Sequence, residues 1–129
     1  REELERYGRH KEALRIKAPD PDAPILSLSG GNQQKVFLAR CLDTGADILL
    51  LDNPTQGVDV GAKEEIYRMI LEFAAQGKTI VLNTLEIPEI MKVSDRCVVF
   101  FEGRVARIFE HGQINEHDVM LQATNAMQA

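Results

Sequence analysis

Ile66, Met69, Ile70 and Phe73 recur at helical spacing on one face, and they predict a helix over 59–76 closed by Gly77. Upstream, Ser29 is a plausible cap for a second helix that runs to about Leu42, with apolar positions at Val36, Ala39 and Leu42 and a stop at Gly45. Residues 1–17 have helical composition, and 18–24 form a linker, because three prolines in seven residues cannot continue a helix. A different rhythm appears at 48–51, an unbroken Ile-Leu-Leu-Leu run. A strand with one wet face would alternate, so this run predicts a strand covered on both faces in a parallel sheet. Residues 79–82 read as a second buried strand, 88–92 as a short helix and 97–101 as a third strand. Glu102-Gly103 offers a two-residue turn into 104–109, a hairpin, and Asn115 caps a last helix running towards Met127. The alternation of helix and strand marks α/β architecture with a partly parallel sheet.

Composition narrows the function classes. The chain has 129 residues, 44% apolar and 27% charged, the balance of an ordered globular protein. Its net charge is -5, and its aromatics amount to 5%, which argues against a nucleic-acid binder. Arg1, Arg6, Arg9, Lys11, Arg15 and Lys17 cluster at the start, but Glu2, Glu3, Glu5 and Glu12 interleave with them, as on a solvated helix face. Cys41 and Cys97 lie far apart inside apolar stretches and read as buried thiols of a reducing compartment. No apolar run approaches the roughly 20 residues that cross a bilayer, and no leader pattern is present. The chain starts without Met, which is the expectation for a fragment.

Two constellations carry chemistry. Leu28-Ser29-Gly30-Gly31-Asn32-Gln33-Gln34-Lys35 is a glycine-rich turn that opens a helix. Free N–H groups and the helix dipole make such a turn an anion site, and two glycines let a phosphate come close. Taken alone, it reads more readily as a Ser-capped helix after a flexible turn. The second is Ile48-Leu49-Leu50-Leu51-Asp52, a carboxylate at the C-terminal end of a parallel strand, where α/β proteins bind ligands. In nucleotide triphosphatases such an Asp holds Mg²⁺; alone, it can be a turn cap.

Together, about twenty residues apart and followed by Pro54-Thr55 and Gly57-Val58-Asp59, the two resemble the nucleotide-binding domain of ATP-binding cassette (ABC) transporters. LSGGNQQ at 28–34 is similar to that family's signature motif, ILLLD at 48–52 to Walker B, and Gln56-Gly57-Val58-Asp59 to the D-loop. Val60-Gly61-Ala62-Lys63, Glu65-Ile66-Tyr67 and the Leu-Glu-Ile-Pro-Glu stretch at 85–89 resemble the C-terminal cassette of the tandem ATPase subunits of bacterial ribose/galactose-type importers. A P-loop needs four residues between its glycines and a Ser or Thr after its Lys. Gly57 to Lys63 meets neither condition.

The resemblance implies an ABC-type P-loop NTPase core fragment, the second half of one cassette, with a mostly parallel sheet. Residues 1–45 would hold the tail of the helical subdomain with the signature helix, 46–101 the Walker B, D-loop and switch-loop core, and 102–129 a C-terminal hairpin and helix. It implies ATP and Mg²⁺ as cofactors of the full-length protein. Ser29, Gly30, Gly31, Asn32, Gln33 and Asp59 would meet nucleotide bound to a partner cassette, and Asp52 would meet the metal through water. Implied partners are the N-terminal cassette of the same subunit or a second ATPase subunit, a transmembrane permease and, indirectly, a sugar-binding protein, with no nucleic acid. The location implied is the cytoplasmic face of the membrane.

Two positions depart from the family pattern. The catalytic Glu after the Walker B Asp is replaced by Asn53, an amide that orients a water but accepts no proton from it at neutral pH. The switch histidine falls at Leu85, which neither hydrogen-bonds nor carries charge. His10, His111 and His117 lie elsewhere, and the last two read as surface residues rather than metal ligands. The fragment's own site is therefore expected to be degenerate and the fragment alone inactive. Unpaired strand edges and apolar faces make self-association an expectation too. Two further readings are a non-transporter ABC protein and a purely regulatory or structural ABC module.

Overall fold

The computed structural model describes residues 1–124, so the expected extension of the last helix to Met127 lies outside the described residues. The chain forms two compact units, Arg1–Asn83 and Thr84–Ala129.

The first unit contains α1 (Glu2–Ala13), a 3-10 turn (Ile25–Ser27), α2 (Gly30–Asp43), β1 (Ile48–Asp52), α3 (Val60–Ala75) and β2 (Thr79–Asn83). Helix α1 ends four residues before the expected boundary at 17, because Arg15 adopts a left-handed backbone (φ 50°). Its N–H donates to Glu12 O and that of Ile16 to Lys11 O, the pairing that closes a helix end. The reversal leaves Leu14 and Ile16 buried. Arg6 and His10 both reach Asp43 near the end of α2, at 3.4 and 3.0 Å. The His10 hydrogen bond is the main cause that holds the Asp43 carboxyl below the usual carboxylate range.

Helix α3 matches its sequence pattern closely. Asp59 caps it by accepting from Ala62 N–H at 3.0 Å, and Gly77 follows its end at φ 85°. Ile66, Met69, Ile70 and Phe73 are all buried, as is Leu38 of α2. Each such side chain contributes about 1.5–3 kcal/mol by leaving water. Strands β1 and β2 run parallel, with Ile48 opposite Thr79 and Asp52 opposite Asn83. The expectation of a strand covered on both faces fails. Leu49 and Leu51 are buried, while Ile48 and Leu50 are 62% and 76% exposed. Within this unit the helices cover one face of the pair and leave the other open.

The second unit contains α4 (Ile87–Val93), β3 (Arg96–Phe101), β4 (Arg104–Glu110) and α5 (Glu116–Thr124). Strand β3 pairs with β4 as an antiparallel hairpin, in a sheet separate from the parallel pair. Its turn has positive φ at both Glu102 (47°) and Gly103 (75°), the backbone that matches the twist of hairpin strands. Ile87, Cys97, Val99, Phe109, Ile114 and Val119 form its core. Burial pushes the Cys97 thiol pKa up. Cys41, expected to be buried, is half-buried. Asn115 caps α5 by accepting from Asp118 N–H at 2.9 Å. Among the described residues no helix is long and apolar enough to cross a membrane.

Candidate functional site

The Ser29 turn is built by local chemistry. Ser29 has an extended backbone, and its hydroxyl oxygen accepts from the Asn32 backbone N–H at 3.4 Å and from Asn32 Nδ2 at 2.8 Å. Asn32 Oδ1 accepts in turn from Lys17 N–H at 2.8 Å. Gln33 donates its side-chain amide to Leu28 O at 2.8 Å, which ties the turn to the helix it opens.

Two helix N-termini meet beside this turn. A Cβ placed on Gly31 would lie 2.5 Å from Ala62 Cβ and 3.8 Å from Asp59 Oδ2, so the first turns of α2 and α3 touch at a point where any side chain intrudes. Gly30 has more room, its nearest neighbour being Gly57 O at 3.6 Å. A cleft of about 340 Å³ opens between them, lined by Lys17, Ser29, Gly31, Asn32, Lys35 and Asp59 among others. N–H groups at two helix starts suit part of it to an anion, while Asp59 and Glu65 also line it and the Lys35 ammonium is already paired with Glu65.

Lys35 lies under this cleft, almost wholly buried, with its ammonium on Glu65 Oε2 and on Arg15 O at 3.2 Å. The Lys35 hydrogen bond is the main cause of the lowered Glu65 pKa. The Glu65 carboxyl is thus more acidic folded than unfolded. Its contribution is present above the ordinary glutamate range and fades as pH falls through its depressed folded value. Thermal melts of wild type and Glu65→Gln should therefore differ at about pH 7 and converge towards about pH 3.

Asp52 and Asn53 form a separate cluster and do not line the cleft. Asp52 ends β1, and its Oδ1 accepts from Asn83 Nδ2 at 2.7 Å and Asn53 Nδ2 at 3.0 Å. Asn53 sits at φ 45°, a left-handed conformation that asparagine tolerates. Asn83 escaped the sequence reading. It falls one residue past the strand expected at 79–82, where no motif marks it. Leu85, in the second unit, is 91% exposed. His111 and His117 are exposed, and no group of three His, Cys, Asp or Glu could hold a metal among the described residues. A larger cleft of about 620 Å³, between α1 and α2, contains none of the predicted site residues.

Solved structures superpose on this arrangement. A dimeric ATP-binding cassette in a post-hydrolysis state with ADP and phosphate matches with TM-score 0.71 and 27% identity, over 82% of this chain and 46% of that one. A nucleotide-free cassette from an ABC transporter matches with TM-score 0.75 and 24% identity, over 99% of this chain and 47% of that one. The fold is that of an ABC ATPase cassette.

Sequence relatives agree. The ABC transporter family model matches residues 3–56 of this chain. A ribose import ATP-binding protein of Hahella chejuensis is 46% identical over 88% of this chain and 23% of its own length. An arabinose import ATP-binding protein of Rhizobium meliloti is 45% identical over 94% of this chain and 24% of its own. The chain thus spans less than a quarter of these curated relatives and about half of the solved cassettes.

The glycine pair provides a direct check on the helix contact. Gly31→Ala should lower stability by about 1–3 kcal/mol, the usual cost of overpacking a site that cannot give. Gly30→Ala, at ordinary contact distance, should leave stability within about 0.5 kcal/mol of wild type. Urea unfolding of both variants measures the difference.

Proposed function

We propose that this chain is the second half of the C-terminal cassette of a tandem ABC ATPase subunit that powers import of a simple sugar. Residues 1–45 would belong to its helical subdomain and signature helix, 46–101 to its catalytic core and 102–129 to a closing hairpin and helix. The observation that carries the reading is the cleft at the Ser29 turn. There two helix N-termini and Lys17 border a space, with Asp59 on its wall, that includes neither Asp52 nor Asn53. A phosphate-capping surface set apart from its own Walker B carboxylate suits a cassette that serves a partner's nucleotide. On this reading Ser29 and Gly31 cap the γ-phosphate of ATP held by the partner cassette, with Gly30, Asn32 and Gln33 shaping the turn. Asp59, at the adjoining helix start, couples the two sites. The partner is the N-terminal cassette of the same subunit or a second ATPase subunit, docked under a membrane permease and served by a sugar-binding protein.

Asp52 gives a single carboxylate held by two amides, which suits a Mg²⁺ that would keep several waters, meet Asp52 through one of them and take ligands from phosphate. The metal, when bound, neutralises charge on the transferring phosphate. Asn53 orients a water without taking its proton, and Leu85 contributes no hydrogen bond, so this cassette's own site turns over slowly and acts as a clamp. Import ATPases of the ribose and arabinose type supply the sugar class.

The 129-residue chain alone should neither bind nor hydrolyse ATP, with or without Mg²⁺, when titrated by calorimetry and assayed for phosphate release. Tight binding with turnover would mean that phosphates are gripped by something other than a P-loop, and the half-cassette reading would be abandoned.

A further inference from the structure

We propose that Asn83 is a positioning residue for Asp52: with Asn53 it forms an amide clamp that fixes the carboxylate through Oδ1 and presents Oδ2 to a divalent cation. The inference rests on the reading of Asp52 as the cation-side carboxylate of a nucleotide site. Asp52 and Asn83 are the paired last residues of β1 and β2, so their side chains leave the same face of the two strands. Asn83 Nδ2 donates to Asp52 Oδ1 at 2.7 Å and Asn53 Nδ2 donates to the same oxygen at 3.0 Å. The backbone reinforces the geometry, because Asn53 N–H donates to Asn83 O at 2.7 Å and carries the parallel ladder one residue past the strands.

The carboxylate is held by two donors on one oxygen, and one backbone hydrogen bond joins the two asparagines that supply them. Amides are the side chains suited to this. They are uncharged, so they do not compete with a cation, and they donate, which a carboxylate at either position could not. A ligand carboxylate free to rotate must be ordered when the metal arrives, and a clamped one has already met that entropy. Outer hydrogen bonds of this kind commonly change metal affinity by about 10–100-fold when removed. Asn83 would therefore govern metal-dependent nucleotide binding without touching metal or nucleotide.

The test uses the full-length ATPase subunit with its other nucleotide site disabled. ATP affinity is measured by calorimetry with Mg²⁺ and again with EDTA. Asn83→Leu keeps the shape and removes the donor; it should weaken Mg²⁺–ATP binding about tenfold and leave metal-free ATP binding unchanged. Asn83→Ala, which removes the amide without adding charge, should show the same metal-dependent loss and serves if the Leu variant melts early. Asp52→Asn runs in parallel. If Asp52→Asn weakens Mg²⁺–ATP and the Asn83 variants do not, the clamp is refuted while the Asp52 reading stands. Equal losses with and without Mg²⁺ at Asn83 would make its role structural, and also refute the clamp. If Asp52→Asn itself changes nothing, the nucleotide-site reading falls and takes the clamp with it.

Discussion

On the reading proposed above, Ser29→Arg in the complete transporter is expected to abolish sugar uptake. Two effects combine. The substitution removes the cap that accepts from Asn32, at a cost of about 1 kcal/mol to the start of α2. It also drives a long cationic side chain into a cleft of about 340 Å³ whose proposed role is to receive phosphate oxygens. Ser29→Ala separates the two, since it loses the cap and adds no bulk. Uptake and ATPase activity in proteoliposomes should fall modestly for the Ala variant and vanish for the Arg variant. Wild-type uptake by the Arg variant would remove Ser29 from the phosphate cap.

Asn53→Glu, in the same full-length setting, should raise ATP hydrolysis at this cassette's own site, on the order of 10²-fold if a correctly placed general base is all that is missing. The structure sets two opposing terms. Residue 53 holds φ 45°, which costs a glutamate roughly 1 kcal/mol more than an asparagine. The new side chain also cannot donate to Asp52, so that carboxylate keeps the single amide of Asn83. A faster but less stable enzyme is the expected outcome, read by phosphate release beside a thermal melt. An unchanged rate would show that the site lacks more than its base, with Leu85 as the next position to restore.

Features governed by nearby chemistry were legible in the sequence. Ser29 and Asn115 cap helices because short oxygen-bearing side chains satisfy the first N–H groups, and a glycine follows α3 where the backbone turns left-handed; Asp59, expected as the first residue of α3, is its cap. The Glu102-Gly103 turn was readable for the same reason. What escaped depends on partners distant in the chain. Arg15 ends α1 early although nothing in its identity favours a positive φ; Lys35, twenty residues away, holds its carbonyl. The apolar run at 48–51 gave the parallel pairing correctly and the covering of its faces wrongly, because a run of leucines records no account of which layers are present. Asn83 was invisible because strand register alone brings it to Asp52 across 31 residues.

The burial of Lys35 carries a mechanical consequence. Its ammonium joins the carbonyl after α1, the body of α2 and the Glu65 side chain of α3. Tilting α2 against α3 would strand a buried cation, which costs several kcal/mol. It would also prise open the Gly31–Ala62 contact. The two helices consequently behave as one stiff lever. Whatever displaces α3 carries the Ser29 turn with it as a rigid tip, so force applied at the far end of the lever reaches the proposed phosphate cap without being absorbed by bending in between.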